Sequence, residues 1–162
     1  MNYFDQIKEL KKIIKSDPNN FVNYFNLGNL YRKTNQLDLA IEIYQKCINK
    51  NKNNFQAYNN IANLYKEKKD INKCIDNFKL AIKINPNYHN AIYNLGSIYL
   101  NIKDYRNSYI YFINALKIVP NHIPTLNNLA VVLINAKKYN EALKCLNQII
   151  KIDKKFAPAY TN

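Results

Sequence analysis

Four stretches of the chain lie over one another at a spacing of 34 residues, starting at Phe21, Phe55, His89 and Ile123. Position 8 of the block reads Gly28, Ala62, Gly96, Ala130, and position 20 reads Ala40, Cys74, Ser108, Ala142. Position 27 reads Cys47, Ala81, Ala115, Ile149. Large side chains recur at position 4 (Tyr24, Tyr58, Ile92, Leu126), position 7 (Leu27, Ile61, Leu95, Leu129) and position 11 (Tyr31, Tyr65, Tyr99, Leu133). Position 24 holds Tyr44, Phe78, Phe112, Leu146. Self-similarity at this period narrows the possible folds sharply. A unit so short cannot bury its apolar faces alone and has to stack on its neighbours.

Positions 4, 7 and 11 fall on one face of a helix, and positions 17 to 28 carry a second apolar stripe. Small residues at positions 8, 20 and 27 let two antiparallel helices approach closely. Polar runs such as "KTNQ" and "EKKD" break the first helix, and Pro86 and Pro120 at position 32 end the second, because the residue before proline is pushed out of the helical region. Each block therefore predicts a helix-turn-helix.

These residues resemble the tetratricopeptide repeat family. The family pattern is an aromatic at 4, Leu-Gly/Ala at 7 and 8, Tyr at 11, Ala at 20, an aromatic at 24, Ala at 27 and Pro at 32. Ile92, Leu126 and Leu133 depart from it, as do Lys52 and Lys154. The resemblance implies an all-α fold: a right-handed superhelix of stacked antiparallel helix pairs, about nine helices. Residues 1–20 read as the second helix of a partial N-terminal repeat. Repeats follow at 21–54, 55–88, 89–122 and 123–156, and 157–162 reads as the start of a truncated further repeat. No polar capping helix follows Lys155 in this reading, so the chain is expected to be a piece of a longer protein, with an uncapped end open to self-association.

The net charge is +13, which favours acidic partners. The lysines are spread along the array rather than clustered with aromatics, which disfavours nucleic acid as a partner. Three cysteines without a CxxC pair suggest a reducing compartment, cytoplasmic or also nuclear. No apolar run approaches the roughly 20 residues of a membrane span.

Catalytic signals are sparse. His89 and His122 stand at block junctions without cysteine or carboxylate company and read as turn or surface residues. Cys47 and Cys74 occupy small core positions, no cysteine has an evident base, and no glycine-rich phosphate loop is present. The segment reads as non-catalytic, with no metal and no cofactor.

The resemblance implies that the first helices line a concave groove. Position 6 there reads Asn26, Asn60, Asn94, Asn128, with Asn162 in the final stub, and position 9 begins with Asn29 and Asn63. Position 5 adds Phe25, Asn59 and Tyr93. A carboxamide offers two donors and an acceptor oxygen, so such a row can pair the backbone of an extended peptide. The chain holds 30 asparagines, and the family carries Asn at position 6 at large, so a packing role for the column stands beside the binding role. The runs "NNIAN" and "NNLA" look like the repeats of the O-linked N-acetylglucosamine transferase, whose groove holds substrate backbones through an asparagine ladder. The main expectation is a protein-binding scaffold; the alternative is the substrate-recognition region of a larger enzyme such as a protein O-glycosyltransferase. The family's clamp for chaperone C-terminal carboxylates is disfavoured, since Phe25, Asn90 and Asn94 stand where its three cations belong. Arg32, Lys33 and Lys66 make the early groove basic, which predicts acidic residues in the ligand there. Ile110, Tyr111 and Ile113 form a candidate interface on the outer face.

Overall fold

The computed structural model describes residues 2–153. Asn162 and the stub 157–162 lie outside the described residues, as do Lys154 and Lys155. Nine α-helices and no strand occur among the described residues. They are α1 (Tyr3–Ser16), α2 (Phe21–Lys33), α3 (Leu37–Lys50), α4 (Phe55–Glu67), α5 (Ile71–Ile84), α6 (His89–Asn101), α7 (Tyr105–Ile118), α8 (Ile123–Asn135) and α9 (Tyr139–Ile152). The chain divides into two compact units, Met1–Pro86 and Asn87–Asn162.

In the first unit α2 packs against α3 and α4 against α5, while α1 covers α2 and α3 covers α4. Its core gathers Leu27, Tyr31, Ala40, Tyr44, Cys47, Ile61 and Leu64. In the second unit α6 packs against α7 and α8 against α9, with α7 also against α8. Phe112, Leu129, Ala130, Leu133 and Ala142 pack there as one cluster.

Glycine serves the helix crossings. A Cβ on Gly28 would stand 2.7 Å from ring carbons of Tyr44, and one on Gly96 would stand 2.8 Å from the Phe112 ring. The missing side chain lets each aromatic at position 24 lie flat against the first helix of its own pair. Ser108, at small position 20, is fully buried and donates its hydroxyl to the carbonyl of Gly96 at 3.0 Å, which satisfies the polar group.

The turns inside the pairs share one main-chain design. Asn35, Lys69, Lys103 and Lys137, all at position 15, have φ of 58 to 60°. The next residue's N–H reaches back five residues: Gln36 to Tyr31, Asp70 to Tyr65, Asp104 to Tyr99 and Lys138 to Leu133, at 2.8–2.9 Å. The left-handed residue itself bonds a carbonyl three residues back, as Lys69 does to Lys66 at 3.0 Å. This pair of bonds is a Schellman closure, built here without glycine. Asp70 and Asp104 then cap α5 and α7 by accepting the N–H groups of Lys73 and Asn107.

Candidate functional site

In the first unit, α2, α3 and α4 bring three polar groups together. The Tyr44 hydroxyl donates to Asn29 Oδ1 at 2.6 Å. Asn60 Nδ2 donates to that same oxygen at 3.3 Å and to the Tyr44 hydroxyl at 3.1 Å. The three form a closed ring that ties position 6 of one block to positions 9 and 24 of the block before. Tyr44 is fully buried, and burial pushes its phenol up to about 12 against the opposing bond from Asn60. Asn63 turns inward and donates to the carbonyl of Asn59 one helical turn back, at 2.9 Å. Asn59 is itself only 7% exposed; its Nδ2 reaches Asn60 Oδ1 at 3.5 Å, and its Oδ1 has no donor among the described residues. Asn26 is exposed, and its amide makes no hydrogen bond within its unit among the described residues.

The second unit meets the same position 6 differently. Asn128 Nδ2 lies 3.5 Å from both the Tyr93 hydroxyl and Ser97 Oγ. Ser97 donates back to the Tyr93 carbonyl at 3.0 Å. Tyr93 also packs its ring against Phe112, centroids 6.2 Å apart. Asn94 is half-buried and, like Asn26, makes no hydrogen bond within its own unit among the described residues. Beside Tyr93 the structure assembles what the sequence kept apart: the rings of His89 and His122 stand 4.5 Å apart edge to face, and His122 lies 5.1 Å from Tyr93. Both histidines are half-buried rather than surface residues. His122 Nδ1 shares a 2.7 Å hydrogen bond with Thr125 Oγ1, while His89 Nε2 is buried without a partner among the described residues. Burial, and then the charge of His89, hold His122 below the ordinary imidazole value.

Family models of the tetratricopeptide repeat match residues 9–42, 55–88 and 87–155, and a TPR repeat model matches 28–69. The chain belongs to the tetratricopeptide repeat family. Solved structures agree on the fold. The crystal structure of MamA is 23% identical with a TM-score of 0.86, over 96% of this chain and 91% of that one. MamA 41-end from Desulfovibrio magneticus RS-1 is 14% identical with a TM-score of 0.82, over 94% and 86%. PilF of Pseudomonas aeruginosa is 21% identical with a TM-score of 0.79, over 88% and 65%. No curated protein sequence matches the chain.

Phe25 is half-buried and packs its ring on Tyr44, centroids 5.7 Å apart. Arg32, Lys33 and Lys66 are exposed, with the Lys33 ammonium 5.9 Å from the centre of the Tyr3 ring. Of Ile110, Tyr111 and Ile113 on the outer face, Ile110 alone is exposed, at 46%. Tyr111 stacks on Tyr99 with centroids 5.5 Å apart, and Ile113 packs on the second unit's core, so both are partly spent inside the fold. Burial raises the Cys47 and Cys74 thiols to about 11, leaving them protonated and poor nucleophiles at neutral pH. No group of three or more metal-binding side chains occurs among the described residues, and no described helix is long and apolar enough to cross a membrane.

Proposed function

We propose that the chain is a non-catalytic protein-interaction scaffold whose first helices hold an extended peptide segment. Each unit carries its own such face, α2 and α4 in the first and α6 and α8 in the second. The observation that carries this reading is the division of the asparagine column. Asn60 and Asn128 are tied to the block before them, while Asn26 and Asn94 keep amides unspent within their units. Tied rungs set the geometry of the face, and unspent rungs have donors and an acceptor left for a peptide backbone. Arg32, Lys33 and Lys66 add exposed positive charge beside the first-unit rungs, suiting a ligand with acidic residues.

The test uses photo-crosslinkers in place of Asn26 and Asn94 to identify the captured segment, followed by its titration against the double variant Asn26→Ala, Asn94→Ala. Folding should be unaffected, since Ala is the better helix former. Loss of two hydrogen bonds of about 1 kcal/mol each should weaken binding at least tenfold. Equal affinity in wild type and variant overturns the reading.

A further inference from the structure

We propose that the trough between the start of α4 and the end of α5, in the first unit, takes an acidic side chain of a protein partner together with an aliphatic side chain beside it. The site uses none of the asparagine-column residues and does not depend on the reading above. It follows from a difference between blocks. The turn that leads into each first helix carries an asparagine at position 33: Asn19, Asn53, Asn87 and Asn121. At two of these turns the chain's own side chains close over the main chain. Tyr24 donates its hydroxyl to the Pro18 carbonyl at 3.0 Å, and Lys50 donates its ammonium to Asn19 Oδ1 at 3.0 Å. Gln148 Nε2 donates to the Pro120 carbonyl and to Asn121 Oδ1, both at 3.1 Å. At the turn of Lys52 and Asn53 the residues in those places are Tyr58, Ile84 and Leu80. Leu80 and Ile84 have nothing to donate, and the Tyr58 hydroxyl makes no hydrogen bond among the described residues.

The seam stays open as a trough of about 780 Å³, inside the roughly 300–1,000 Å³ typical of ligand pockets. Leu80, 41% exposed, and Ile84 give it an apolar wall beside Tyr58. Lys52 and Lys83 line it too; both are exposed, and neither makes an ion pair or hydrogen bond among the described residues. No carboxylate lines it. Because α4 starts and α5 ends beside it, the partial charges of the two helix ends offset each other, and the lysines set the sign. Two uncommitted ammoniums and the Tyr58 hydroxyl are donors suited to a carboxylate. The exposed Leu80 offers an aliphatic neighbour of that carboxylate apolar surface to cover. The trough is open along one side, which fits a side chain presented on a larger body; a free small molecule needs a pocket that encloses most of its surface. A nucleic-acid strand would meet two cations here, a thin match for a run of phosphates.

The experiment follows the Leu80 and Ile84 methyl resonances while three blocked peptides are titrated: acetyl-Leu-Glu-Leu-amide, acetyl-Leu-Gln-Leu-amide and acetyl-Ala-Glu-Ala-amide. The first should give saturable shifts, and each of the others should bind at least about threefold more weakly. Lys52→Gln combined with Lys83→Gln should abolish the preference for the glutamate peptide over the glutamine peptide. Leu80→Gln installs the donor that closes the turn in the fourth block and should weaken the first peptide about tenfold. Leu80→Ala, a smaller change at the same exposed place, should weaken it about threefold and stands in if circular dichroism shows that Leu80→Gln alters the fold. The proposal is overturned by absent saturation, by equal affinity for either control peptide, by full affinity in a folded Leu80 variant, or by a thymidine pentanucleotide binding the same methyls more tightly than the first peptide.

Discussion

The first and third blocks solve one problem in opposite ways. Both must hold the asparagine at position 6 of the block that follows. In the first, the ring at position 5 is Phe25 and the hydroxyl comes from Tyr44 on the second helix, at 3.1 Å from Asn60. In the third the two aromatics are exchanged: Phe112 has no hydroxyl, and Tyr93 on the first helix supplies it, at 3.5 Å from Asn128. The Tyr44 solution is buried and closed into a ring of three bonds; the Tyr93 solution is looser and leans on two half-buried histidines. The place of a hydroxyl is therefore kept while the residue that delivers it changes, and what differs is how rigidly the rung is held.

The largest effect should come from adding a methyl under the two aromatic rings. Gly28→Ala puts a Cβ against a Tyr44 ring whose hydroxyl is fixed at its far end, so the ring cannot slide, and a loss of about 2 kcal/mol is expected. Gly96→Ala meets Phe112, which has no such tether, and should cost about 1 kcal/mol. Urea melts of both variants measure the gap; equal losses would show that the tether is irrelevant. Next comes the hydroxyl itself. Tyr44→Phe leaves Asn29 Oδ1 and Asn60 Nδ2 each short of a partner and should cost about 1–1.5 kcal/mol. A double-mutant cycle with Asn60→Ala should then show coupling, and additivity would dissolve the ring as a unit.

The smallest effect separates the units by pH. His122, just before α8, faces His89 and Tyr93 from α6 and Thr125 from the first turn of α8. Its folded pKa is depressed, so the unfolded chain binds more protons across the acidic window. Stability is fully present above the ordinary histidine value, near 6.5, and declines as pH falls through it toward the folded value. The melting temperature should drop by about 1–2 °C more in wild type than in His122→Asn between pH 7.5 and 5. Parallel curves for the two proteins would remove His122 from the account.

Periodicity made the helices legible, because apolar spacing and small residues at fixed positions leave few other arrangements. Gly28 and Gly96 were readable as close-packing positions for the same reason. The histidine pair was not. His89 begins a block and His122 ends it, and only the return of an antiparallel helix pair brings first and last positions together. Asn59 was read as facing a ligand, yet it is buried, since position 5 lies at the margin of the packed stripe. Side-chain bonds such as Asn60 to Asn29 depend on the neighbouring block, which spacing within one block does not reveal.

The turns carry a separate consequence. Lys69, Lys103 and Lys137 sit in left-handed backbone, a conformation that costs an L-residue about 1–2 kcal/mol. Main-chain bonds alone hold the turn, and the lysine side chains point into solvent. Charge at these positions is thus uncoupled from architecture. The electrostatic character of the molecule can be rewritten there, one turn at a time, while glycine in the same places would release stability the fold has left unused.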